Sequence, residues 1–336
     1  MRIGTCDTGV SVALIAEIGN NHEGSVSRAE EMIETAFAAG AHAVKLQTFV
    51  PDLFVSRTQP ARLETLRRFA LPPEALDRLL RTYAARGLPL FSTPLDLVSL
   101  NRLSGAPLLK ISSGDVTYTQ LLRGAALAGK DLILSTGAAT MAEVSAAVAT
   151  IVDTWTAAGI TRDLGLLHCV SAYPAPPESV NLRAIATLRD AFPSAVVGYS
   201  DHTLGIDVAV TAAAAGARII EKHFTLDKHF SDFRDHRLSA DPDEFAELRS
   251  RLQALDVVLG TGVKEPTDVE VEMRTAIRRS VTAARDLPVG HTLEADDLCV
   301  VRPAAGVEPA RMETLIGRRL ANGLSTGQAV SDGDLS

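Results

Sequence analysis

Two histidines at the ends of neighbouring apolar runs have the spacing that most directly suggests chemistry. His202 follows the run V-V-G-Y-S-D, and His223 follows R-I-I-E-K. If these runs are consecutive strands of a parallel sheet, both imidazoles reach one edge of it, where neutral imidazoles bind a divalent metal ion. Nearby Lys, Asp and Glu residues would then support reactions on an anion. The alternative is that both histidines are hydrogen-bonded structural residues.

Three further runs end in small hydroxyl and glycine residues directly before a predicted helix. They are S-S-G-D at 112–115, S-T-G at 135–137 and G-Y-S-D-H-T at 198–203. Backbone N–H groups at helix starts, together with serine hydroxyls, bind phosphate. The same residues are common in ordinary turns and caps, but three such ends in one ring favour a phosphate site.

Lysines inside the predicted strands would supply positive charge beside these turns. Lys45 and Lys110 occupy such positions. Either one would attract the phosphate or carboxylate of an anionic substrate. The alternative is that they only neutralise Glu17 or Asp115.

The alternation of side chains along a strand sorts the candidates into two faces. His168 falls on the face opposite Ser171, so it is predicted to be structural. Lys222 alternates away from His223 and is either a packed lysine or a functional one. The residues that share an inward face are Lys45 with Gln47, Ser171 with Tyr173, Ser200 with His202, and Glu221 with His223.

Eight short apolar runs alternate with helical patterns between residues 11 and 260. Near-continuous hydrophobic strands alternating with helices predict a parallel sheet that is covered on both faces. Eight such units fit a closed (β/α)8 barrel, whose active site is assembled from the carboxyl ends of its strands. An open doubly wound sheet is the alternative, but polar residues follow nearly every run instead of one glycine-rich first turn.

Capping patterns mark the starts of several helices. Ser27 with Glu30, and Thr140 with Glu143, have capping-box spacing. Asp241 and Pro242 open the last helix of the repeat. Apolar stripes with 3.6-residue periodicity follow these starts. They consist of Ala29, Met32, Ile33, Ala36 and Phe37, ended by Gly40, and of Phe245, Leu248, Leu252, Leu255 and Leu259.

After residue 260 the sequence changes character. A polar stretch with a short helix leads into short β-like runs that are broken by turn residues. A further short helix is predicted near Pro309–Ile316. We therefore predict a (β/α)8 barrel over 1–262, a linker over 263–279 and a small β-rich domain over 280–336.

Composition excludes several classes of protein. The 336 residues include 33 basic and 41 acidic ones, a net charge of −8, with no basic run that would attract nucleic acid or an anionic membrane. The three cysteines lack metal or disulfide spacing, which fits a reducing cytoplasm. The apolar run 12–18 contains Glu17 and no basic segment precedes it, so it is predicted to be a strand rather than a signal peptide. No apolar run reaches the length of about 18 residues that a membrane span requires.

The motifs taken together resemble the sialic acid synthase family. The C-terminal V-V-R-P and I-G-R-R-L segments resemble the antifreeze-like (SAF) domain that these enzymes carry. The resemblance covers nearly the whole chain, in order. The barrel motifs are I-A-E-I-G-N-N-H-E-G-S, V-K-L-Q-T-F, S-T-P, L-K-I-S-S-G-D, L-S-T-G, H-C-V-S-A-Y-P, G-Y-S-D-H-T, E-K-H-F-T-L-D and L-G-T-G-V-K-E-P-T.

This resemblance implies a reaction, a cofactor and an assembly. The reaction is the condensation of phosphoenolpyruvate with an N-acylated amino-sugar aldehyde such as N-acetylmannosamine, giving a nine-carbon 3-deoxy-2-ulosonic acid and phosphate. The cofactor is a divalent metal, usually Mn²⁺, with Mg²⁺ or Co²⁺ as alternatives. The assembly is a homodimer with swapped C-terminal domains, in which one protomer's small domain covers its partner's site.

The resemblance also implies a role for each matching residue. His202 and His223 would bind the metal, Lys45 and Thr93 would hold the phosphoenolpyruvate carboxylate, and Glu17 and Asp115 would be the acid and base candidates. The phosphate would be bound by Lys110, Ser113, Ser135 and Ser200, and the sugar by Gln47, Tyr173 and Asp235, with Arg302 reaching its acyl group from the partner chain. Ser171 is a further substrate-binding candidate.

The sequence departs from the family pattern at three places. Asp115 stands where a Glu is usual, Phe233 and Arg234 stand where small residues are usual, and Ala304 replaces a Gly. The last two departures lie on sugar-contacting segments, so we expect the reaction to be retained and the acceptor to differ from N-acetylmannosamine. Two alternative enzymes are a synthase of a shorter ulosonic acid and a Schiff-base aldolase that uses Lys45 or Lys110. A non-catalytic carbohydrate-binding barrel is the third alternative.

Overall fold

A computed structural model describes residues 1–336 and divides them into two compact units, 1–260 and 261–336. The first unit is a closed barrel of eight parallel strands, in the order β1 to β8 and back to β1. The predicted (β/α)8 barrel is therefore confirmed. The strands are β1 Ala13–Gly19, β2 Ala43–Thr48, β3 Leu90–Pro94, β4 Leu108–Ile111, β5 Asp131–Ser135, β6 Leu164–Cys169, β7 Val196–Asp201 and β8 Ile219–His223.

Helices cover the outside of the barrel. A short hairpin, Arg2–Ile3 with Cys6–Asp7, precedes β1. The helices of this unit are α1 Val26–Ala38, α2 Pro51–Phe54, α3 Pro60–Phe69, α4 Pro73–Ala85, α5 Leu97–Arg102, α6 Thr119–Leu127, α7 Met141–Ala158, α8 Ala184–Ala191, α9 Asp207–Ala214, α10 Arg234–Leu238 and α11 Pro242–Leu259. The apolar faces of the strands and helices form one continuous core.

The helix starts follow the predicted capping chemistry with one correction. Thr140 with Glu143 forms the capping box of α7, and Asp241 caps α11. The predicted box of Ser27 with Glu30 is wrong, because α1 is capped two residues earlier by Ser25, whose side chain accepts a hydrogen bond from the Arg28 amide. Ser27 lies inside the first turn, where its hydroxyl contacts the Ser25 hydroxyl.

The predicted apolar stripe of α11 is buried only over its first part. Phe245, Leu248 and Leu252 are buried, whereas the Leu259 side chain is 48% exposed. The stripe therefore turns away from the barrel in the last turn of the helix. Val257 and Val258 in the same turn are each 81% exposed.

The second unit is small and has its own core. It contains α12 Asp268–Ile277, an antiparallel pair of strands, β9 Ser280–Ala283 and β10 Leu298–Val301, and the short helix α13 Met312–Leu315. Its core is built from Val281, Leu293, Leu315, Leu320 and Val330 with their neighbours. Helix α12 occupies most of the stretch 263–279 that we predicted as a linker, and it belongs to this unit. None of the helices in either unit combines the length and the hydropathy needed to span a bilayer.

Candidate active site

A cavity of about 990 Å³ opens at the carboxyl ends of the barrel strands. Strand alternation points every second side chain into this space, and the residues just after each strand surround it. Arg302, which belongs to the second unit, is the one candidate that is not among the lining residues. The fourteen candidates that do line it are Glu17, Lys45, Gln47, Thr93, Lys110, Ser113, Asp115, Ser135, Ser171, Tyr173, Ser200, His202, His223 and Asp235.

Four buried charges form a network on the floor of the cavity. Lys45 Nζ lies 2.6 Å from Glu17 Oε2 and 3.8 Å from Glu221 Oε2, while Lys110 Nζ lies 3.5 Å from Glu221 Oε1. All four side chains are at most 5% exposed. Lys45 therefore pairs with Glu17, which is one of the alternatives stated from the sequence. The ion-pair partner of Lys110 is Glu221 and not Asp115.

The network shifts the pKa values of its members in different directions. Burial disfavours the charged form of Glu221. The positive charges of Lys110 and Lys45 outweigh this effect and lower the pKa of Glu221 to about 2. Burial raises the pKa of Glu17 despite the facing Lys45. Burial also lowers the pKa of Lys110, although Glu221 partly compensates. Glu221 thus remains an anion, and Glu17 is the carboxylate better suited to take up a proton.

Serines and a close-fitting glycine surround the Lys110 side of the cavity. Ser113 Oγ accepts a hydrogen bond of 2.9 Å from the Gly137 amide and lies 3.0 Å from Cys169 Sγ. A Cβ on Gly137 would lie 2.5 Å from Cys169 Sγ, so this turn requires glycine. Ser135 Oγ is buried and has no hydrogen-bond partner, which leaves it free to donate to a bound anion.

His202 and His223 lie side by side at the ends of the neighbouring strands β7 and β8, with their ring centroids 5.4 Å apart. His202 Nδ1 lies 2.7 Å from the Val170 carbonyl, so it carries the proton and Nε2 keeps its lone pair. Burial lowers the pKa of both imidazoles, in His223 well below its usual value. Two neutral imidazoles, one with a buried nitrogen that lacks any partner, fit a divalent cation. Neither histidine belongs to a group of three or more potential ligand side chains, so water or substrate would complete the coordination.

Acidic and aromatic side chains occupy the space between the floor and the mouth. Asp235 Oδ1 is buried without a hydrogen-bond partner, and burial raises the pKa of this carboxyl. Arg234 Nε lies 3.3 Å from the same carboxylate, and its guanidinium lies 4.5 Å from the centre of the Tyr173 ring. Asp115 accepts a hydrogen bond from Ser112, and burial raises its pKa as well. These groups provide acceptors for the hydroxyl or amide hydrogens of a sugar.

An apolar wall forms one side of the mouth, built from Leu53 and Phe54 of α2, Leu66 and Phe69 of α3, and Phe233 just before α10. The Phe69 and Phe233 rings meet edge to face, with centroids 5.1 Å apart. Leu66 also belongs to a small hydrophobic cluster separate from the main core. This wall was not predicted, because nothing in the sequence indicates that the connections after β2 and β8 meet.

Two further polar residues of the cavity were also missed as candidates. Glu221 had a visible signal, since it shares the inward face of its strand with His223. Asn20 lies just beyond β1, where its amide donates a 2.9 Å hydrogen bond to Gln47 Oε1. By contrast, His168 is structural as predicted, with Nε2 2.7 Å from the Val180 carbonyl.

Comparison with protein families and with known proteins gives a consistent result. The model of the NeuB family matches residues 32–264, and that of the SAF domain matches residues 278–336. The N,N'-diacetyllegionaminic acid synthase of Legionella pneumophila is 38% identical over 94% of this chain and 92% of its own length. The N-acetylneuraminate-9-phosphate synthase of Mus musculus is 31% identical over 91% of this chain and 88% of its own length.

A solved structure agrees with these matches. The N-acetylneuraminic acid synthetase of Leptospira borgpetersenii, determined in complex with citrate, superposes with a TM-score of 0.74. It is 33% identical in sequence and covers 80% of this chain and 92% of its own.

Proposed function

The chain belongs to the NeuB family, and on this premise we propose that it condenses phosphoenolpyruvate with an N-acylated amino-sugar aldehyde and water, giving a nine-carbon 3-deoxy-2-ulosonic acid and phosphate. One observation carries the proposal. A lysine and serine cradle for an anion and a pair of neutral histidines face one cavity at the carboxyl end of the barrel. Relatives named as synthases of acids of this kind support it.

The cradle would hold phosphoenolpyruvate by its two anionic ends. Lys45 Nζ, which donates a 3.1 Å hydrogen bond to Thr93, would bind the carboxylate with that hydroxyl. Lys110, Ser113, Ser135 and Ser200 would bind the phosphate. The Ser200 hydroxyl donates a 2.9 Å hydrogen bond to Glu221 Oε1. It would either turn away from Glu221 to bind the phosphate or keep this hydrogen bond and hold the Glu221 carboxylate in place. Fixing both ends leaves the enol carbon free to attack an aldehyde.

The acceptor aldehyde would lie beside His202 and His223. These two residues would hold a divalent metal such as Mn²⁺, which would supply Lewis-acid chemistry at the aldehyde oxygen. Attack by the enol carbon on the aldehyde carbon would form the new carbon–carbon bond, turn the aldehyde oxygen into an alkoxide and leave a cationic carbon next to the carboxylate. Glu17 lies beside His223 in the strand register and would accept a proton from the water that adds to this carbon, and then pass that proton to the alkoxide. The carbon–oxygen bond to phosphate would then break, and phosphate would leave with the hydroxyl proton of the intermediate to give the 2-oxo acid.

Phosphate release from phosphoenolpyruvate tests the function directly. We expect release with Mn²⁺ that depends on an N-acyl hexosamine and stops when a chelator is added. Folded protein that binds phosphoenolpyruvate but releases no phosphate with any sugar would contradict the proposal. Borohydride trapping with pyruvate identifies a Schiff-base aldolase instead, since the condensation forms no imine.

The apolar wall leads to a finer proposal about the acceptor. Its rings favour a methyl or methylene group at the distal end of the sugar over a hydroxyl. Asp115 and Asp235 lie in the same cavity and would repel a sugar phosphate. Of the two arginines that line it, Arg234 is engaged by Asp235 and Tyr173, and the Arg62 guanidinium lies 5.7 Å from the centre of the Phe54 ring of the wall. We therefore expect an unphosphorylated acceptor that is less polar than N-acetylmannosamine.

Phe233→Ser tests this preference. The wild type should use the 6-deoxy analogue of N-acetylmannosamine with a kcat/KM at least about tenfold above that of the parent sugar, because one apolar contact discriminates by about 10–200-fold. The variant should lose most of this ratio while its KM for phosphoenolpyruvate stays unchanged. Equal or better turnover of N-acetylmannosamine, or of its 6-phosphate, would count against the proposal.

We also propose a homodimer that acts in the cytoplasm and in which Arg302 serves the partner's barrel. Apolar side chains along 257–277 support an interface, because Val257, Val258, Val263 and Val269 are each at least 67% exposed and α12 buries no residue in a single chain. The free cysteines suit a reducing compartment.

Mixing two inactive variants tests the swapped arrangement. Equal amounts of His202→Ala and Arg302→Ala chains should regain about a quarter of wild-type activity after subunit exchange, because half of the dimers are mixed and each holds one intact site. The separate variants are the controls. Absence of recovery despite verified exchange would show that Arg302 acts within its own chain or not at all.

A further inference from the structure

A buried ion pair lies behind the two histidines, outside the cavity. Lys222 Nζ is 2.8 Å from Asp201 Oδ2, and both side chains are fully buried. The two residues are direct neighbours in the register of β7 and β8. Each stands next to a histidine in the chain and points to the opposite face of its strand. The pair therefore connects the two strand ends that carry His202 and His223.

The same pair also fixes the residue that follows His202. Asp201 Oδ1 accepts hydrogen bonds from the Thr203 amide at 2.9 Å and from its hydroxyl at 2.8 Å. Lys222 Nζ donates to the Thr203 carbonyl at 2.7 Å. His202 thus lies between two residues that are tied to the neighbouring strand.

Burial of a charged pair is not what the barrel requires at these positions. Ile18, Leu46 and Leu134 occupy outward positions near the ends of other strands, and all are buried in the apolar core. Replacing a buried pair by apolar residues is commonly neutral or stabilising, so stability alone is a weak reason for its presence. Its position, on the two strands that carry the histidines, suggests a different reason.

We infer that Asp201 and Lys222 are positioning residues that hold His202 and His223 in the relative orientation needed for one divalent cation. The inference depends on the metal site of the proposed function. Groups behind metal ligands commonly change metal affinity by 10–100-fold when they are altered. Of the two alternatives for Lys222, a packed lysine or a functional one, this inference supports the functional one.

The test is the Mn²⁺ affinity of a full-length Asp201→Leu/Lys222→Met variant, measured by competition with a fluorescent chelator. We expect its Kd to rise 10–100-fold while the urea midpoint of unfolding stays the same or increases. The matched control is Arg218→Met/Asp256→Leu, which removes a 3.7 Å ion pair just before the start of β8. The Kd of that control should equal the wild-type value.

A second variant keeps the test decisive if the double variant does not fold. Asp201→Asn preserves shape and the acceptor for Thr203 but removes the charge that faces Lys222, and we expect its Kd to rise several-fold. An unchanged Kd in the folded variants, with normal binding by the wild type, would overturn this inference alone. A wild-type protein that binds no Mn²⁺ would overturn the metal site and this inference together.

Discussion

Glu17→Gln is expected to lower kcat for phosphate release by about 10²–10⁴-fold, the usual contribution of a general acid or base. Glu17 is 1% exposed, contacts Lys45 at 2.6 Å and neighbours His223 in the strand register. It therefore lies where the carboxylate of phosphoenolpyruvate and the aldehyde would meet. Glutamine keeps its shape and its hydrogen bond with Gln47 but cannot accept a proton.

The measurement is steady-state phosphate release, together with circular dichroism and the Kd for phosphoenolpyruvate. Asp115→Asn is the matched control, because Asp115 lines the same cavity and is the other acid and base candidate. We expect a smaller loss there, since the Asp115 carboxylate is engaged by Ser112 near the mouth. A larger loss in Asp115→Asn than in Glu17→Gln would reverse the two roles.

Glu221→Gln is expected to lower the free energy of unfolding by about 3–5 kcal/mol, because it leaves the buried Lys110 ammonium without its counter-charge, while Lys45 keeps Glu17. The pKa shift agrees in direction, since Lys110 and Lys45 lower the pKa of Glu221 in the folded state and folding therefore favours the anion. The pKa of Glu221 is lower in the folded state, so this stability is complete above about pH 4.5 and is lost as the pH falls toward 2.

Urea unfolding at pH 7 and at pH 3 measures both effects. The free energy of unfolding of the wild type should fall from pH 7 to pH 3, in part because of Glu221. In the variant, the contribution of Glu221 to this fall should be absent. Glu64→Gln is the control, because the Glu64 side chain is 67% exposed and its ion pair with Arg67 spans 3.9 Å, so the change should stay within about 0.5 kcal/mol. A Glu221→Gln variant as stable as this control would show that the lysines are hydrated or lose their charge.

The strands and the residues at their ends could be predicted from sequence, because both follow from local alternation. An inward residue at the end of a parallel strand reaches the cavity whatever the rest of the chain does, and His202, His223, Lys45 and Lys110 followed this rule. Pairing across strands carries no such local signal. The partnership of Lys110 with Glu221 depends on two distant segments approaching within 3.5 Å, and the alternative partners named from the sequence were only Glu17 and Asp115.

Loops and helix ends show the same limit. Ser25 and Ser27 both have the chemistry of a cap, and the choice between them depends on how the preceding turn leaves β1. The edge-to-face contact of Phe69 with Phe233 joins two connections that are far apart in sequence. The sequence showed only that Phe233 and Arg234 depart from the family pattern. The structure adds that Phe233 forms part of an apolar wall.

The wall also has a consequence for how such enzymes diversify. The groups that would act on phosphoenolpyruvate stand on the strands, whereas the apolar wall stands on the connections after β2 and β8. Mutation of the connections can therefore change the accepted sugar without disturbing the strand-borne machinery. Grafting residues 49–70 and 226–238 between relatives should therefore transfer sugar preference as a unit.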